Sequence, residues 1–261
     1  MGFHRVFIDP GEFADGRVVV RGADALHILR VLRMSEGDQF VALDGRGGAW
    51  VAEIESHSRP VAGREASLIG RIVAEACLAP EPSCKVTLYQ SIPRGDKMEF
   101  IIQKCTEVGV HSIVPFVSER TVVRLGERSG ARVDRWRRIA REAAEQCGRL
   151  VVPAVSDVCR LDDIQPAPDS RLLVLWEASA GPRLLDALSA ASGTDGGGLS
   201  GTHDLRVGIV VGPEGGLSEA EVDTLRERGG VAVSLGPRIL RTETAGMIAA
   251  ALVLCRSGDL G

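Results

Sequence analysis

The spacing of hydrophobic positions divides the chain into an N-terminal part with short strands and a longer part in which strands and helices alternate. In residues 1–76, short β-branched and aromatic runs predict strands, and Asp44–Gly48 predicts the turn of a hairpin. Asp24–Leu32 has apolar residues at helical spacing. One helix among short strands predicts a small barrel. The predicted strands are Phe3–Ile8, Arg17–Val20, Gly37–Leu43, Ala49–Glu55 and Ala66–Val73.

From Cys84 onward, buried strands alternate with amphipathic helices, which predicts a mainly parallel sheet covered by helices. The proline-rich linker Ala79–Ser83 cannot continue a helix or a strand. We therefore place domains at residues 1–78 and 79–261. Capping boxes are predicted at Asp96–Glu99 and Ser218–Glu221, and the glycine-rich segment Gly193–Asp204 predicts a mobile surface loop. The predicted strands are Lys85–Ile92, His111–Val117, Val151–Val155, Arg171–Trp176, Arg206–Val211 and Val231–Leu235. Four helices are predicted. They run from near Asp96 to near Gly109, from Asp134 to Leu150, from Ser218 to just before the last strand, and from near Arg241 to near Cys255.

Two glycine-rich loops follow the last two predicted strands. The first contains Gly212–Gly216, and the second begins at Gly236. Open α/β sheets bind ligands where strands end and helices begin, so we predict a binding site at these loops. The alternative is that both are ordinary turns between a strand and a helix.

Composition is typical of an ordinary globular protein, with 44% apolar and 25% charged residues among 261. The net charge of −4 argues against nucleic-acid binding by the whole surface, so only local arginine clusters could contact RNA. Six scattered cysteines without a C-x-x-C pair predict reduced thiols and no metal site. No apolar run is long enough to span a membrane, and the N-terminus lacks the apolar core of a signal peptide. We therefore expect a cytoplasmic location.

Several common catalytic motifs are missing from the sequence. It contains no P-loop, no dinucleotide-binding G-x-G-x-x-G, no G-x-S-x-G and no H-E-x-x-H. The Gly212–Gly216 loop also has no lysine or hydroxyl for a phosphate–magnesium site. Its glycines suit a ligand that backbone groups recognise at close range. S-adenosyl-L-methionine (SAM) is a ligand of that kind, although the loop composition alone does not identify it.

The sequences of the two C-terminal loops resemble those of a known protein family. They read VVGPEGGLSEAEVD and VSLGPRILRTETA, and they closely resemble the 16S ribosomal RNA uridine-N3 methyltransferase family of the SPOUT superfamily. Upstream segments that fit the same family are HILRVLRMSEGD, MEFIIQKCTEVG, PFVSER and RIAREAAEQCGR. The resemblance therefore covers nearly the whole chain.

This resemblance implies an N-terminal PUA-like β-barrel and a C-terminal SPOUT α/β domain with a deep trefoil knot. It also implies a homodimer that binds SAM in the knot, with no metal. The cofactor contacts that it implies are Leu175, Gly212, Gly216, Leu217, Leu235, Gly236, Ile239 and Leu240.

The implied reaction transfers a methyl group from SAM to N3 of a uridine in the 16S RNA of the 30S subunit. Removal of the N3 proton needs an acceptor, and the resulting anion needs a cation nearby. Our first catalytic candidates are Arg241 and Glu243, followed by Glu107 and Arg120, although Glu243 could simply cap its helix and the last two could form a structural ion pair. The candidate RNA contacts are Arg5, Arg30, Arg33, Lys97, Arg138 and Arg149. Two alternatives stay open: a SPOUT methyltransferase for another RNA such as transfer RNA, and a non-catalytic RNA-binding factor in ribosome assembly.

Overall fold

A computed structural model describes residues 3–58, 60, 65–121, 129–178, 181–189 and 205–261. The chain divides into two compact units. The N-terminal unit contains Met1–Glu81 and Ala144–Val152, and the C-terminal unit contains Pro82–Ala143 and Pro153–Gly261. The first division lies close to the predicted boundary at 78/79, but the sequence did not predict that 144–152 group with the N-terminal unit. The predicted surface loop at 193–204 lies outside the described residues.

The N-terminal unit is built on a six-stranded sheet with the order β1-β4-β5-β6-β3-β2. The strands are β1 (Arg5–Phe7), β2 (Phe13–Ala14), β3 (Arg17–Arg21), β4 (Gln39–Leu43), β5 (Ala49–Ser58) and β6 (Ser67–Glu75). β1 pairs with β4 in parallel and the other pairs are antiparallel. The predicted hairpin is confirmed, since β4 and β5 pair from Gln39–Glu53 to Leu43–Ala49.

The helix predicted at Asp24–Leu32 begins and ends differently in the structure. An α-helix, α1 (Gly22–Leu26), continues into a π-helical turn at His27–Val31. Ala25 and Ile28 point into the unit's core and are fully buried. Hydrophobic spacing thus located the helix, but spacing alone does not distinguish an α-helical from a π-helical turn.

The C-terminal unit is organised around a parallel sheet with the order β10-β8-β7-β12-β11-β13, and β9 pairs with β8. Its strands are β7 (Lys85–Ser91), β8 (Ser112–Val117), β9 (Ala154–Val155), β10 (Cys159–Arg160), β11 (Arg171–Leu175), β12 (Arg206–Val211) and β13 (Gly230–Val233). All described pairings in this sheet are parallel, as predicted. The carboxyl ends of neighbouring strands therefore lie at one edge of the sheet.

Helices connect these strands. They are α2 (Lys97–Val108), α3 (Ser129–Cys147), α4 (Leu184–Ser189), α5 (Glu219–Glu227) and α6 (Thr242–Ser257). The capping box at Ser218 is confirmed, because Ser218 and Glu221 exchange side-chain-to-backbone hydrogen bonds. The one predicted at Asp96 is wrong, because its side chain makes no cap hydrogen bond and Glu99 pairs with Arg135 instead. None of the helices in the described ranges is long and apolar enough to cross a membrane.

The last turn of α3 and the residues after it belong to the N-terminal unit. The helix ends at Cys147 rather than at the predicted Leu150, because Gly148 takes a left-handed φ of +84°. Glu81 then accepts hydrogen bonds from the guanidinium of Arg149, at 2.6 Å, and from the backbone N–H groups of Leu150 and Val151. Burial opposes the charge of Glu81, but these bonds hold its pKa below the ordinary value.

Candidate active site

A cavity of about 600 Å³ lies at the carboxyl ends of β11, β12 and β13. The residues that follow each of these strands line it, among them Leu175–Glu177, Val211–Glu214 and Val233–Glu243. Parallel pairing brings these strand ends together, although β12 and β13 are both neighbours of β11 rather than of each other. The cavity is therefore where a ligand is expected in an open α/β sheet.

Two loops contribute most of the lining. We call Gly212–Leu217 the β12 loop and Leu235–Arg241 the β13 loop. Leu217 is the one predicted cofactor contact that does not line the cavity; its side chain is 3% exposed and packs in the unit's core. The predicted contacts that do line the cavity are Leu175, Gly212, Gly216, Leu235, Gly236, Ile239 and Leu240.

The β12 loop needs glycine at two positions. A Cβ atom on Gly212 would lie 3.0 Å from the backbone carbon of Gly216 and 3.0 Å from the backbone nitrogen of Leu217. Gly216 itself has a φ of +68°, and a Cβ there would lie 3.2 Å from Oε1 of Glu177. Because backbone atoms cannot move aside as flexible side chains can, the loop closes tightly only with a bare backbone.

Thr242 fastens this loop to the start of α6. Its hydroxyl donates to the carbonyl oxygen of Gly212 at 2.7 Å, and it accepts from the side-chain amide of Gln90 at 3.0 Å. Thr242 is 6% exposed and Gln90 is fully buried at the end of β7. These buried hydrogen bonds link three elements, so β7, the β12 loop and α6 are positioned together.

Lys97 connects the β12 loop to α6 through charge. Its ammonium lies 2.8 Å from Oε1 of Glu214 and 3.5 Å from Oε2 of Glu243. The hydrogen bond to Glu214 raises the pKa of Lys97. Partial burial acts against the charge of Glu214, but Lys97 and the backbone N–H of Arg94 hold its pKa below the ordinary value. We predicted Lys97 as an RNA contact; the structure instead engages its ammonium with two carboxylates beside the cavity.

Arg241 and Glu243, the first catalytic candidates, both line the cavity. The Arg241 side chain is 83% exposed, and its Nη1 lies 4.0 Å from Oε1 of Glu243. Oε2 of Glu243 is buried, and the ammonium of Lys97 lies 3.5 Å from it. Glu243 also lies in the first turn of α6, where the helix dipole stabilises a carboxylate. The cavity thus combines a partly buried carboxylate with an exposed guanidinium.

Comparison with known proteins identifies the family of this chain. Residues 80–254 match an RNA methyltransferase domain, and residues 20–60 match an RNA methyltransferase PUA domain. The ribosomal RNA small subunit methyltransferase E of Bacillus subtilis is 39% identical over 88% of this chain and 86% of its own length. The chain belongs to the ribosomal RNA small subunit methyltransferase E family. The Synechocystis member is 32% identical over 96% of this chain and 77% of its own length.

A solved member of the ribosomal RNA small subunit methyltransferase E family has the same fold. The crystal structure of the Neisseria gonorrhoeae enzyme, bound to S-adenosyl methionine, is 30% identical and superposes with a TM-score of 0.79. It covers 97% of this chain, and this chain covers 97% of it. The likeness therefore extends over both units, as the sequence resemblance implied.

Two further catalytic candidates lie outside the cavity lining of this family member. Arg120 donates from Nη1 to the carbonyl oxygen of Gly215 at 2.7 Å, so it supports the β12 loop from outside. Glu107 pairs with Lys104 at 2.7 Å on the last turns of α2. The alternative prediction, an ion pair between Glu107 and Arg120, is wrong, because each of them has a different partner. Their positions favour a structural role for both.

The candidate RNA contacts differ in what they can reach. Arg30, Arg33 and Arg138 are exposed. Arg149 has a side chain that is only 9% exposed and paired with Glu81, so its burial argues against an RNA contact. The guanidinium of Arg5 lies against Gly148, at 2.9 Å from the position of an added Cβ atom, and its Nε is buried.

Sequence reasoning did not select Thr242, Gln90 or Glu177. Thr242 stands inside the motif that carries the family resemblance, and Gln90 follows the apolar pair Leu88 and Tyr89 near the end of a predicted strand. A buried amide at a strand end is a signal that could have been used, because such groups need partners. Within the described ranges, no cluster of three or more histidine, cysteine or acidic residues could hold a metal ion.

Proposed function

We propose that this chain is a SAM-dependent methyltransferase that methylates N3 of a uridine in the 16S RNA of the small ribosomal subunit. The observation that carries this proposal is the cavity formed by the β12 and β13 loops, which also contain the sequence motifs that resemble the family. The support from relatives is that curated members are named ribosomal RNA small subunit methyltransferase E, and that the Neisseria structure contains S-adenosyl methionine.

The residues present fit this cofactor. Gly212 and Gly216, whose lack of a side chain lets the β12 loop close tightly, both line the cavity with backbone groups. Leu175, Leu235 and Leu240 add apolar lining, and Glu177 and Glu214 add negative charge that suits a cationic sulfonium. When bound, SAM supplies a methyl group on that sulfonium, and the sulfur becomes a neutral thioether after transfer.

The protein's own part in the reaction concerns the uracil. N3 of uridine carries a proton and is occupied in a base pair, so the base must first be turned out of its stack into the cavity. Glu243 accepts the N3 proton as the new N3–CH3 bond forms, and the S–CH3 bond breaks. The guanidinium of Arg241 donates hydrogen bonds to a uracil carbonyl oxygen, where the negative charge of the imide accumulates. Lys97 stays protonated throughout the reaction, because its hydrogen bond to Glu214 raises its pKa.

The same proposal includes the finer properties implied by the resemblance: a knotted C-terminal domain, a homodimer and a cytoplasmic location. Analytical ultracentrifugation of the purified chain measures the oligomeric state. A single species with the mass of a monomer would remove the dimer from the proposal.

The test of function is a methyl-transfer assay with tritiated SAM. The substrates are 30S subunits that lack N3-methyluridine, naked 16S RNA and bulk transfer RNA. Label on 30S subunits that mass spectrometry maps to N3-methyluridine is the expected result. Label on transfer RNA alone would assign the enzyme to a different substrate. No transfer, together with no SAM binding by calorimetry, would leave the non-catalytic assembly factor.

A further inference from the structure

A second cavity lies at the opposite edge of the same parallel sheet. It has a volume of about 400 Å³ and is lined by the amino-terminal parts of β7, β8 and β12 together with the segment before β11. Gly208 lines the second cavity and Val211 lines the first, so at about 3.3 Å per residue roughly 10 Å of β12 separates the two cavities. The second cavity therefore does not belong to the cofactor site.

The register of the strands places its polar groups in two adjacent rows. Thr87 is the register partner of both Ser112 on β8 and Gly208 on β12, and Lys85 is the partner of Arg206. Lys85 and Thr87 are separated by one residue, so their side chains lie on the same face of β7. A row of hydroxyl groups therefore lies next to a row of two cations.

The hydroxyl groups are held in defined positions. Thr87 and Ser112 share a hydrogen bond of 2.9 Å between their side-chain oxygens. Tyr89, which lies next along the same face of β7, donates its phenolic proton to the carbonyl oxygen of Gln165. Burial raises the pKa of Tyr89, so the phenol stays neutral and adds no negative charge to the cavity. Ser170, from the segment before β11, also lines the cavity.

The charge of the lining is positive. Lys85, Arg206 and His111 all line the cavity, and no carboxylate does so within the described residues. Among the described residues, the ammonium of Lys85 donates one hydrogen bond, to the carbonyl oxygen of Pro82, so two of its N–H groups are available to another acceptor. Asp259, the carboxylate that contacts the start of β7, accepts from the backbone N–H groups of Ser83 and Cys84 instead.

Two cations placed side by side on neighbouring strands repel each other, and like charges in such positions destabilise a sheet. An anion between them would offset that repulsion. A guanidinium, an ammonium and hydroxyl groups around a concave surface are the donors that a tetrahedral phosphate accepts from. We propose that this second cavity binds a phosphate group, either from the RNA backbone or from a free phosphorylated molecule.

The experiment measures anion binding by the full-length protein with calorimetry. The probes are inorganic pyrophosphate, which has no base that could enter the cofactor cavity, and a hexauridylate with hydroxyl ends, which carries only phosphodiesters. The variants are Arg206→Gln and Thr87→Val. Arg160→Gln is the matched control, because Arg160 is exposed and lines neither cavity.

Arg206→Gln is expected to weaken binding about tenfold, since a hydrogen bond to a charged group is lost. Thr87→Val, which keeps the shape of the side chain, is expected to weaken it less, and Arg160→Gln not at all. An effect on pyrophosphate identifies a free phosphorylated molecule as the source, and an effect on the hexauridylate alone identifies RNA. The proposal is wrong if neither probe binds, or if Arg206→Gln and Arg160→Gln weaken binding equally. Circular dichroism checks that each variant folds. If Arg206→Gln does not fold, binding by Thr87→Val tests the proposal in its place.

Discussion

The two loops that form the candidate cofactor cavity differ in how they are held. The β12 loop is fixed on several sides: Thr242 holds Gly212, Arg120 holds the carbonyl of Gly215, and Lys97 holds Glu214. The β13 loop has few such contacts among the described residues, mainly the hydrogen bonds between Ser234 and Gly236.

Exposure follows the same division. In the β13 loop, Ile239 is 80% exposed and the Arg241 side chain is 83% exposed. The side chain of Glu214 in the β12 loop is 31% exposed despite its charge. The β12 loop therefore resembles a preformed support, whereas side chains of the β13 loop are available to a ligand. Changes in the first loop should alter stability and cofactor affinity together, and changes beside the second should alter turnover alone.

The sharpest test of this division is Glu243→Gln, at the start of α6 directly after the β13 loop. The amide cannot accept the N3 proton, so we expect kcat to fall by about a thousandfold, within the usual range for a general base. SAM affinity by calorimetry and the melting temperature should stay close to wild type. A variant that turns over at the wild-type rate would assign Glu243 to helix capping.

Arg241→Ala removes the most exposed charge of the β13 loop. We expect kcat to fall by about a hundredfold, because one donor to the developing uracil anion is lost. Since the side chain is 83% exposed, the melting temperature should not change. Arg160→Ala is the matched loss of one exposed arginine, and its single-turnover rate should equal that of wild type. Equal rates for all three proteins would contradict the role of Arg241.

Gly212→Ala tests the support itself. The added methyl group meets backbone atoms at 3.0 Å, and such overpacking costs about 2 kcal/mol, which corresponds to roughly thirtyfold in affinity. Calorimetry with SAM and thermal unfolding should both show the loss. Gly215→Ala is the control in the same loop, because its Cβ atom would lie at an ordinary 3.5 Å from Arg120. Similar losses in both variants would mean that the loop tolerates no side chain anywhere.

Thr242→Val removes the hydroxyl that links Gly212 to Gln90 and keeps the shape of the side chain. The buried amide of Gln90 loses one acceptor, and we expect unfolding free energy to fall by about 1 kcal/mol and SAM affinity by about fivefold. Thr224→Val, on the exposed surface of α5, removes a hydroxyl that bonds only its own helix. If both variants lose equal stability, Thr242 does not act as the tether between the loop and α6.

The sequence predicted the elements of this architecture better than the contacts of the site. β12 runs from Arg206 to Val211 as predicted, because a buried parallel strand is a continuous apolar run that ends at a glycine. The cavity loops followed from their glycines and from the family resemblance. The sequence could not predict the ion pairs of Lys97, since a lysine at the start of a helix has the same local pattern whether it faces RNA or a carboxylate. Its partners lie 117 and 146 positions further along the chain, and only the fold brings them together.

Lys97→Gln distinguishes these two roles of the lysine, with the smallest expected effect. If Lys97 acts through Glu214 and Glu243, kcat should fall about threefold, in line with a partly exposed ion pair, and RNA affinity should keep its dependence on salt. If Lys97 neutralises a phosphate, RNA affinity should fall. The slope of the logarithm of RNA affinity against the logarithm of salt concentration should also decrease in magnitude by about one. Glu214→Gln is the matched variant, because it removes the main partner of Lys97 without removing a cation. Similar kinetics for the two variants would support the ion-pair role, and a salt slope that changes only in Lys97→Gln would return Lys97 to the RNA surface.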